Sequence, residues 1–216
     1  MLRIGIFGGM FDPVHIGHLQ SAIEAFEYLQ LDKVSLVPCA HPPHRQIAHL
    51  KFEYRTQLLV AACTRFLEFE VDTCEMKRDG PSYTLDTLQD FHSRYVDASL
   101  YLLVGSDAFS GFADWKNWRE VFSLAHVIVL HRPGFPPMPD GELGDVFNER
   151  KVSTLDELQA AKQGRIGSLA VTQLEISSTL VRERVQQNLD VAYLVPEEAR
   201  KLIIENNWYS KELAGE

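Results

Sequence analysis

Apolar runs alternate along the first part of the chain with segments in which apolar positions recur every three to four residues. Residues 2–7 are a nearly continuous apolar run that ends in Gly8-Gly9, the form of a short buried strand closed by a glycine turn. From Gly17 the spacing changes. Leu19, Ala22, Ile23, Phe26 and Leu29 fall on one helical face, while Glu24 and Glu27 point away. Residues 33–38, rich in Val and Leu, predict a second strand. Pro42-Pro43 then forces an irregular loop, because proline fixes its own φ and restricts the residue before it. A helix over about 52–66, a strand near 69–72, and a turn at Arg78-Asp79-Gly80-Pro81 follow. The spacing of Leu85, Leu88 and Phe91 predicts a helix over 84–95, and 100–104 and 125–130 read as buried strands.

These strands are continuously apolar rather than alternating, and helices separate them. That combination predicts an α/β fold built on a doubly wound parallel sheet covered on both faces. In such sheets ligands bind beyond the carboxyl ends of the strands, near the point where strand order reverses. The region 133–144 breaks the pattern with four prolines and three glycines. It is read as surface loop, with 135–151 an insertion into a single domain spanning 1–209. Thr154 and Glu157 have the spacing of a capping box and open a short helix ending by Gly164. A helical part closes the chain, and 210–216 is expected to be a loose end.

Composition narrows the classes of function. The chain has 216 residues, 45% hydrophobic and 24% charged, within the range of an ordinary globular protein. No apolar run approaches the ~18 residues of a membrane helix, and the first residues lack the form of a signal peptide. Three scattered cysteines, Cys39, Cys63 and Cys74, without a CxxC spacing, fit reduced thiols in a cytoplasmic protein. A net charge of −9 gives no overall basic footprint for nucleic acid. An acidic chain still binds small anions where its few cations converge, which directs attention to Arg45, Lys51, Arg55, Arg132 and Arg182.

Gly8-Gly9-Met10-Phe11-Asp12-Pro13-Val14-His15-Ile16-Gly17-His18 is the most informative segment. Two glycines at a strand end let phosphates approach the backbone. The helix that opens at Gly17 and His18 offers amides favourable to an anion. His15 and His18 are three apart, so both imidazoles can address one point. The segment is neither the GxGxxG dinucleotide fingerprint nor a P-loop, which needs a Lys-Ser/Thr pair. It resembles the GGxFDPxHxGH motif of the nucleotidyltransferases, relatives of class I aminoacyl-tRNA synthetases, across all eleven positions. The resemblance implies in-line transfer of AMP from ATP, with Mg²⁺ carried on the phosphates. The attacking phosphate oxygen is already anionic, so the need is for positioning and charge stabilisation. His15 and His18 are expected to stabilise charge, with no covalent intermediate. Asp12 is assigned to the acceptor side, with a purely structural role in the turn as its other reading.

The remaining segments narrow the resemblance. Ile176-Ser177-Ser178-Thr179-Leu180-Val181-Arg182 reads as a helix N-cap, followed by Val181, Val185 and Leu189 on one side. It is also similar to the ISSTxxR motif with which the superfamily cradles triphosphate. The loop Pro42-Pro43-His44-Arg45, the segment Ser82-Tyr83-Thr84, Gly105-Ser106-Asp107, Trp115 and Arg132-Pro133-Gly134 are similar to those of nicotinate-nucleotide adenylyltransferases. That resemblance runs from Met1 to about Tyr209. It implies ATP contacts for Gly8, Gly9, Met10, Phe11, His15, His18, Gly105, Asp107, Arg132, Ile176, Ser177, Ser178, Thr179 and Arg182. It implies acceptor contacts for Asp12, His44, Arg45, Ser82, Tyr83, Thr84 and Trp115, with Arg45 and Arg182 added to the catalytic set. Taken alone, Ser82 or Thr84 reads as a helix N-cap, and Trp115 and Trp118 as packing. The expected partners are ATP and nicotinate mononucleotide, with no nucleic acid and no membrane, in a monomer or small homo-oligomer. The alternatives are an enzyme preferring nicotinamide mononucleotide and a nucleotide-binding sensor without catalysis.

Overall fold

The structure is a computed structural model that describes residues 1–43 and 48–210. Six parallel strands form one sheet: β1 (Arg3–Gly9), β2 (Lys33–Pro38), β3 (Phe69–Val71), β4 (Ser99–Gly105), β5 (His126–His131) and β6 (Ile166–Ala170). Their order is β3-β2-β1-β4-β5-β6, and every pairing is parallel. The order reverses between β1 and β4, which are paired from Arg3↔Ser99 to Phe7↔Leu103, so a switch-point crevice opens beyond Gly9 and Gly105.

The strands are apolar throughout because both faces are covered. On one face Tyr101 and Leu103 of β4 and Ile128 and Leu130 of β5 pack with α1 (Ile16–Leu29), α2 (Phe52–Cys63), α7 (Ser178–Gln186) and α8 (Glu197–Glu205). On the other, Ile4, Ile6, Leu100, Leu102, Val104, Val127 and Val129 meet α3 (Thr84–Arg94), α4 (Ser106–Ser110) and α5 (Gly141–Arg150). The α1 stripe lies as its spacing predicts, with Leu19, Ala22 and Leu29 buried and Ile23 and Phe26 packed against them.

Several boundaries differ from the sequence reading. Residues 135–151 are not all loop: 141–150 are α5, which buries Leu143 and Val146 against the second core. β6, absent from the sequence reading, pairs with the outer side of β5. The N-cap of α3 is Tyr83, with no side-chain cap, rather than Ser82 or Thr84. Helix α7 stops at Gln186, leaving Leu189 beyond it and 45% exposed. The short helix α6 (Leu155–Gln159) has the expected capping box: Thr154 Oγ1 accepts from Glu157 N–H, and Glu157 Oε2 accepts from Thr154 N–H. Among the described residues no helix is long and apolar enough to cross a membrane.

Candidate active site

A cleft of about 780 Å³ lies at the switch point. The ends of β1, β4 and β5 supply Gly8 and Gly9, Gly105, and Leu130; the start of α1 supplies His15, Gly17 and His18. Asp107, Arg132, Ile176 and Ser177 complete the sequence-predicted residues in its wall. Elements far apart in sequence thus bring the first histidine motif, the glycine–aspartate segment and the front of the ISST motif to one crevice.

Local geometry fixes the two imidazoles. His15 is the N-cap of α1 and His18 lies three residues on. Their rings stack at 3.6 Å between centroids, tilted by 26°. The His15 backbone N–H donates to His18 Nδ1 at 3.2 Å, so the proton of neutral His18 resides on Nε2. Burial pushes His15 down to about 4, and burial together with neighbouring His15 pushes His18 down to about 3. Both rings are therefore neutral donors at physiological pH, not fixed cations. Gly17 leaves room for this packing: a Cβ there would stand 3.1 Å from His15 Nδ1 and press on the ring. At Gly105 a Cβ would meet Asp107 Oδ1 at 2.6 Å, so glycine lets the carboxylate fold back over the end of β4. Arg132 is steered by Gln173, whose Oε1 accepts from Nε at 2.7 Å.

Other expected contacts lie elsewhere. Phe11, expected at ATP, is 1% exposed. Its ring meets His18 edge-on at 5.1 Å, so it buttresses the histidine from behind. Met10 is outside the cleft lining, and its carbonyl accepts from Arg55 Nη1 at 2.6 Å. The Asp12 carboxylate, expected on the acceptor side, is 4% exposed and faces the interior. It accepts from the backbone of His49 and Leu50 and from Tyr209 Oη. This is the structural reading of Asp12, because a buried carboxylate requires such donors.

The second motif divides in two. Ile176 and Ser177 face the cleft, with Ser177 Oγ capping α7 at Leu180 N. Ser178, Thr179 and Arg182 turn towards the first motif instead. Ser178 Oγ donates to Pro13 O at 2.8 Å, and Arg182 donates to Asp12 O at 2.7 Å and to Thr179 Oγ1 at 3.1 Å. Arg182 therefore ties the two motifs together rather than lining the cleft.

Of the residues expected on the acceptor side, Ser82, Tyr83 and Trp115 lie near the front of α3, away from Asp12. Ser82 pairs with the loop after β2: its N–H donates to His41 O, and its Oγ accepts from His41 N–H. The Tyr83 ring lies beneath Lys116 Nζ at 4.3 Å, which brings the Trp115 segment alongside. Trp115 is half-buried, its ring 4.8 Å from Phe112, whereas Trp118 is buried in the core. His44 and Arg45 lie outside the described residues. Sequence reasoning noted Arg55 only as a cation of unknown placement. It is 2% exposed and donates to the carbonyls of Met10, Cys39 and Leu50. Tyr209, where the family resemblance ends, gives no sequence signal of a role beside a buried acid, because 197 residues separate it from Asp12.

An all-parallel doubly wound sheet, with paired histidines and a capped second motif at its switch point, defines a nucleotide-binding protein of the nucleotidyltransferase kind. The profile of the cytidylyltransferase-like family matches residues 6–184. Relatives named "Probable nicotinate-nucleotide adenylyltransferase" are similar over nearly the full length. That of Hydrogenovibrio crunogenus is 39% identical over 206 residues, 95% of this chain and 97% of its own. That of Methylococcus capsulatus is 40% identical over 209 residues, 96% and 100% respectively. The nicotinic acid mononucleotide adenylyltransferase of Plasmodium falciparum, solved with NaAD, shares the fold at a TM-score of 0.67 and 17% identity, over 97% of this chain and 98% of that one. The chain belongs to the cytidylyltransferase-like family and, within it, to the nicotinate-nucleotide adenylyltransferases.

Proposed function

We propose that this cytoplasmic enzyme transfers AMP from ATP to nicotinate mononucleotide, giving deamido-NAD and pyrophosphate in NAD biosynthesis. The observation that carries the reading is the stacked pair His15 and His18, both neutral, in the wall of a cleft at the ends of β1 and β4. The relatives' names supply the acceptor.

The chemistry follows from the groups present. The acceptor's phosphate oxygen attacks the α-phosphorus of ATP in line, and the bond to the bridging oxygen of pyrophosphate breaks. The nucleophile is anionic at neutral pH, so no general base is required. His18 Nε2–H and a ring N–H of His15 donate to oxygens on which charge grows, and Arg132 balances the departing pyrophosphate. Gly8 and Gly9 admit the phosphates against the backbone, while Gly105 and Asp107 serve the nucleoside. On the acceptor side, Trp115 stacks on the pyridine and the front of α3 at Ser82, Tyr83 and Thr84 receives the carboxylate, whose charge suits a helix N-terminus. Arg45, with His44, addresses the acceptor phosphate.

Among the described residues no group of three or more His, Cys, Asp or Glu is placed to hold a metal. The cleft's polar groups are chiefly imidazoles, amides and a guanidinium, with two carboxylates, Asp107 and Glu175. This set fits a divalent cation, such as Mg²⁺, held mainly by triphosphate oxygens and water rather than by a protein cage. When bound with ATP, such an ion would supply charge neutralisation at the phosphates.

ATP labelled at the α-phosphate tests the reaction directly. With nicotinate mononucleotide and Mg²⁺ the label is expected in a dinucleotide, in step with pyrophosphate, and never on the protein. Label retained on the denatured protein would contradict the in-line mechanism. ATP binding without any transfer would favour a sensor.

A further inference from the structure

We infer that Tyr209, near the end of the chain, is a positioning residue for the histidine pair, acting through Asp12. This role rests on the proposed adenylyl transfer.

Asp12 lies three residues before His15, within the segment that leads into α1. Its carboxylate is held by two segments distant in sequence, the loop at His49 and Leu50 and the closing turn at Tyr209. Oδ2 accepts from His49 N–H at 2.6 Å and lies 3.2 Å from His49 Nδ1. Oδ1 accepts from Leu50 N–H at 3.3 Å and from Tyr209 Oη–H at 2.9 Å. On its other side the same segment is gripped by the second motif, through Asp12 O and Pro13 O. The shorter of the two contacts to Oδ1 is the tyrosine's. Removing that hydroxyl leaves Oδ1 with one long bond inside the protein, where an under-solvated carboxylate is costly.

Three observations indicate that Tyr209 is held in place. The residue is 5% exposed. Its φ is +66°, a left-handed conformation that bulky residues rarely adopt unless their surroundings impose it. The preceding Trp208 is buried against Tyr54 of α2, ring centroids 5.1 Å apart. Helix α2 also carries Arg55, which grips Met10 O two residues before Asp12. The closing turn and α2 thus form one clamp on residues 10–12, and the imidazoles project from the chain that immediately follows. The reaction needs those imidazoles placed to within a fraction of an ångström.

Tyr209→Phe tests this role, because it removes one oxygen and keeps the ring. The expected result is a fall in kcat of about ten-fold, as a small misplacement of catalytic groups produces, with KM for both substrates within about two-fold. Asp12→Asn and the double variant complete a cycle. If the two side chains act through one bond, the double variant is no slower than Asp12→Asn. A Tyr209→Phe enzyme within two-fold of wild type would overturn the role. So would a change confined to a KM, effects that multiply in the double variant, or a loss of rate that merely tracks loss of folded protein by circular dichroism. The wild-type rate separates this role from the reading beneath it. An active wild type with an equally active Tyr209→Phe overturns the role alone, and an inactive wild type overturns both.

Discussion

At the residue scale, the cleft presents two imidazoles that burial keeps uncharged at neutral pH. His15 at about 4 and His18 at about 3 are donors without a fixed charge. His18→Ala is expected to lower kcat by ~10²-fold, as loss of a transition-state donor does; a rate within a few-fold of wild type would remove His18 from the mechanism. The same shifts predict acid sensitivity. Both folded values lie below the unfolded value of 6.5, so the unfolded chain takes up protons first as pH falls. Stability from each histidine is intact above about 6.5 and is lost as pH falls towards about 4 and 3, by up to ~1.4 kcal/mol per pH unit. Urea midpoints between pH 7 and 5 should therefore drop less in His15→Asn than in wild type; parallel curves would contradict the shift. The histidine pair was legible because its spacing and glycines are contiguous. The direction of Asp12 was not, since its donors come from positions 49, 50 and 209.

At the scale of elements, the largest departure is α5. Four prolines and the weak helix formers Gly141 and Gly144 obscured it, although Leu143, Val146 and Phe147 already carried helical spacing. Leu143 is 5% exposed within the second core. Leu143→Ala should accordingly cost ~2–5 kcal/mol in denaturant unfolding; a change within about 0.5 kcal/mol would return the segment to the status of surface loop. β6 escaped notice because Gly167 and Ser168 interrupt its apolar run, and pairing with β5 supplies what local propensity does not. The second motif is a capped helix start, as its sequence indicates, but the contact of Arg182 with Asp12 O is tertiary and has no sequence signal. Arg182→Ala is expected to reduce kcat/KM for ATP at least ten-fold by loosening the first motif, with little change in acceptor KM. An effect confined to the acceptor would show that this strut serves the other half of the site.

At the scale of the molecule, the strand pattern announced a parallel α/β fold and a crevice at strand ends. The order β3-β2-β1-β4-β5-β6 was not available from periodicity, since any of several orders buries the same apolar residues. That order sets β1 beside β4, and so sets the histidine motif opposite Gly105 and Asp107. It leaves Ser82–Thr84 and Trp115 in a group of their own, brought together by the contact of Lys116 with Tyr83. A two-part arrangement of this kind predicts that donor and acceptor sites fail separately. Trp115→Ala should weaken acceptor binding by ~1–3 kcal/mol, the usual scale of base stacking on an aromatic ring, and leave the KM for ATP unchanged. An unaltered acceptor KM would make Trp115 a packing residue of the Phe112 cluster.

The proposed reaction needs triphosphate at the cleft of His15 and His18 and the acceptor's carboxylate at the front of α3. Pyrophosphate release with ATP and Mg²⁺, compared between nicotinate and nicotinamide mononucleotides, tests both parts at once. The account predicts turnover with a strong preference for the acid. Preference for the amide would contradict the carboxylate role proposed for Ser82–Thr84, and no release with either acceptor would contradict the reaction itself.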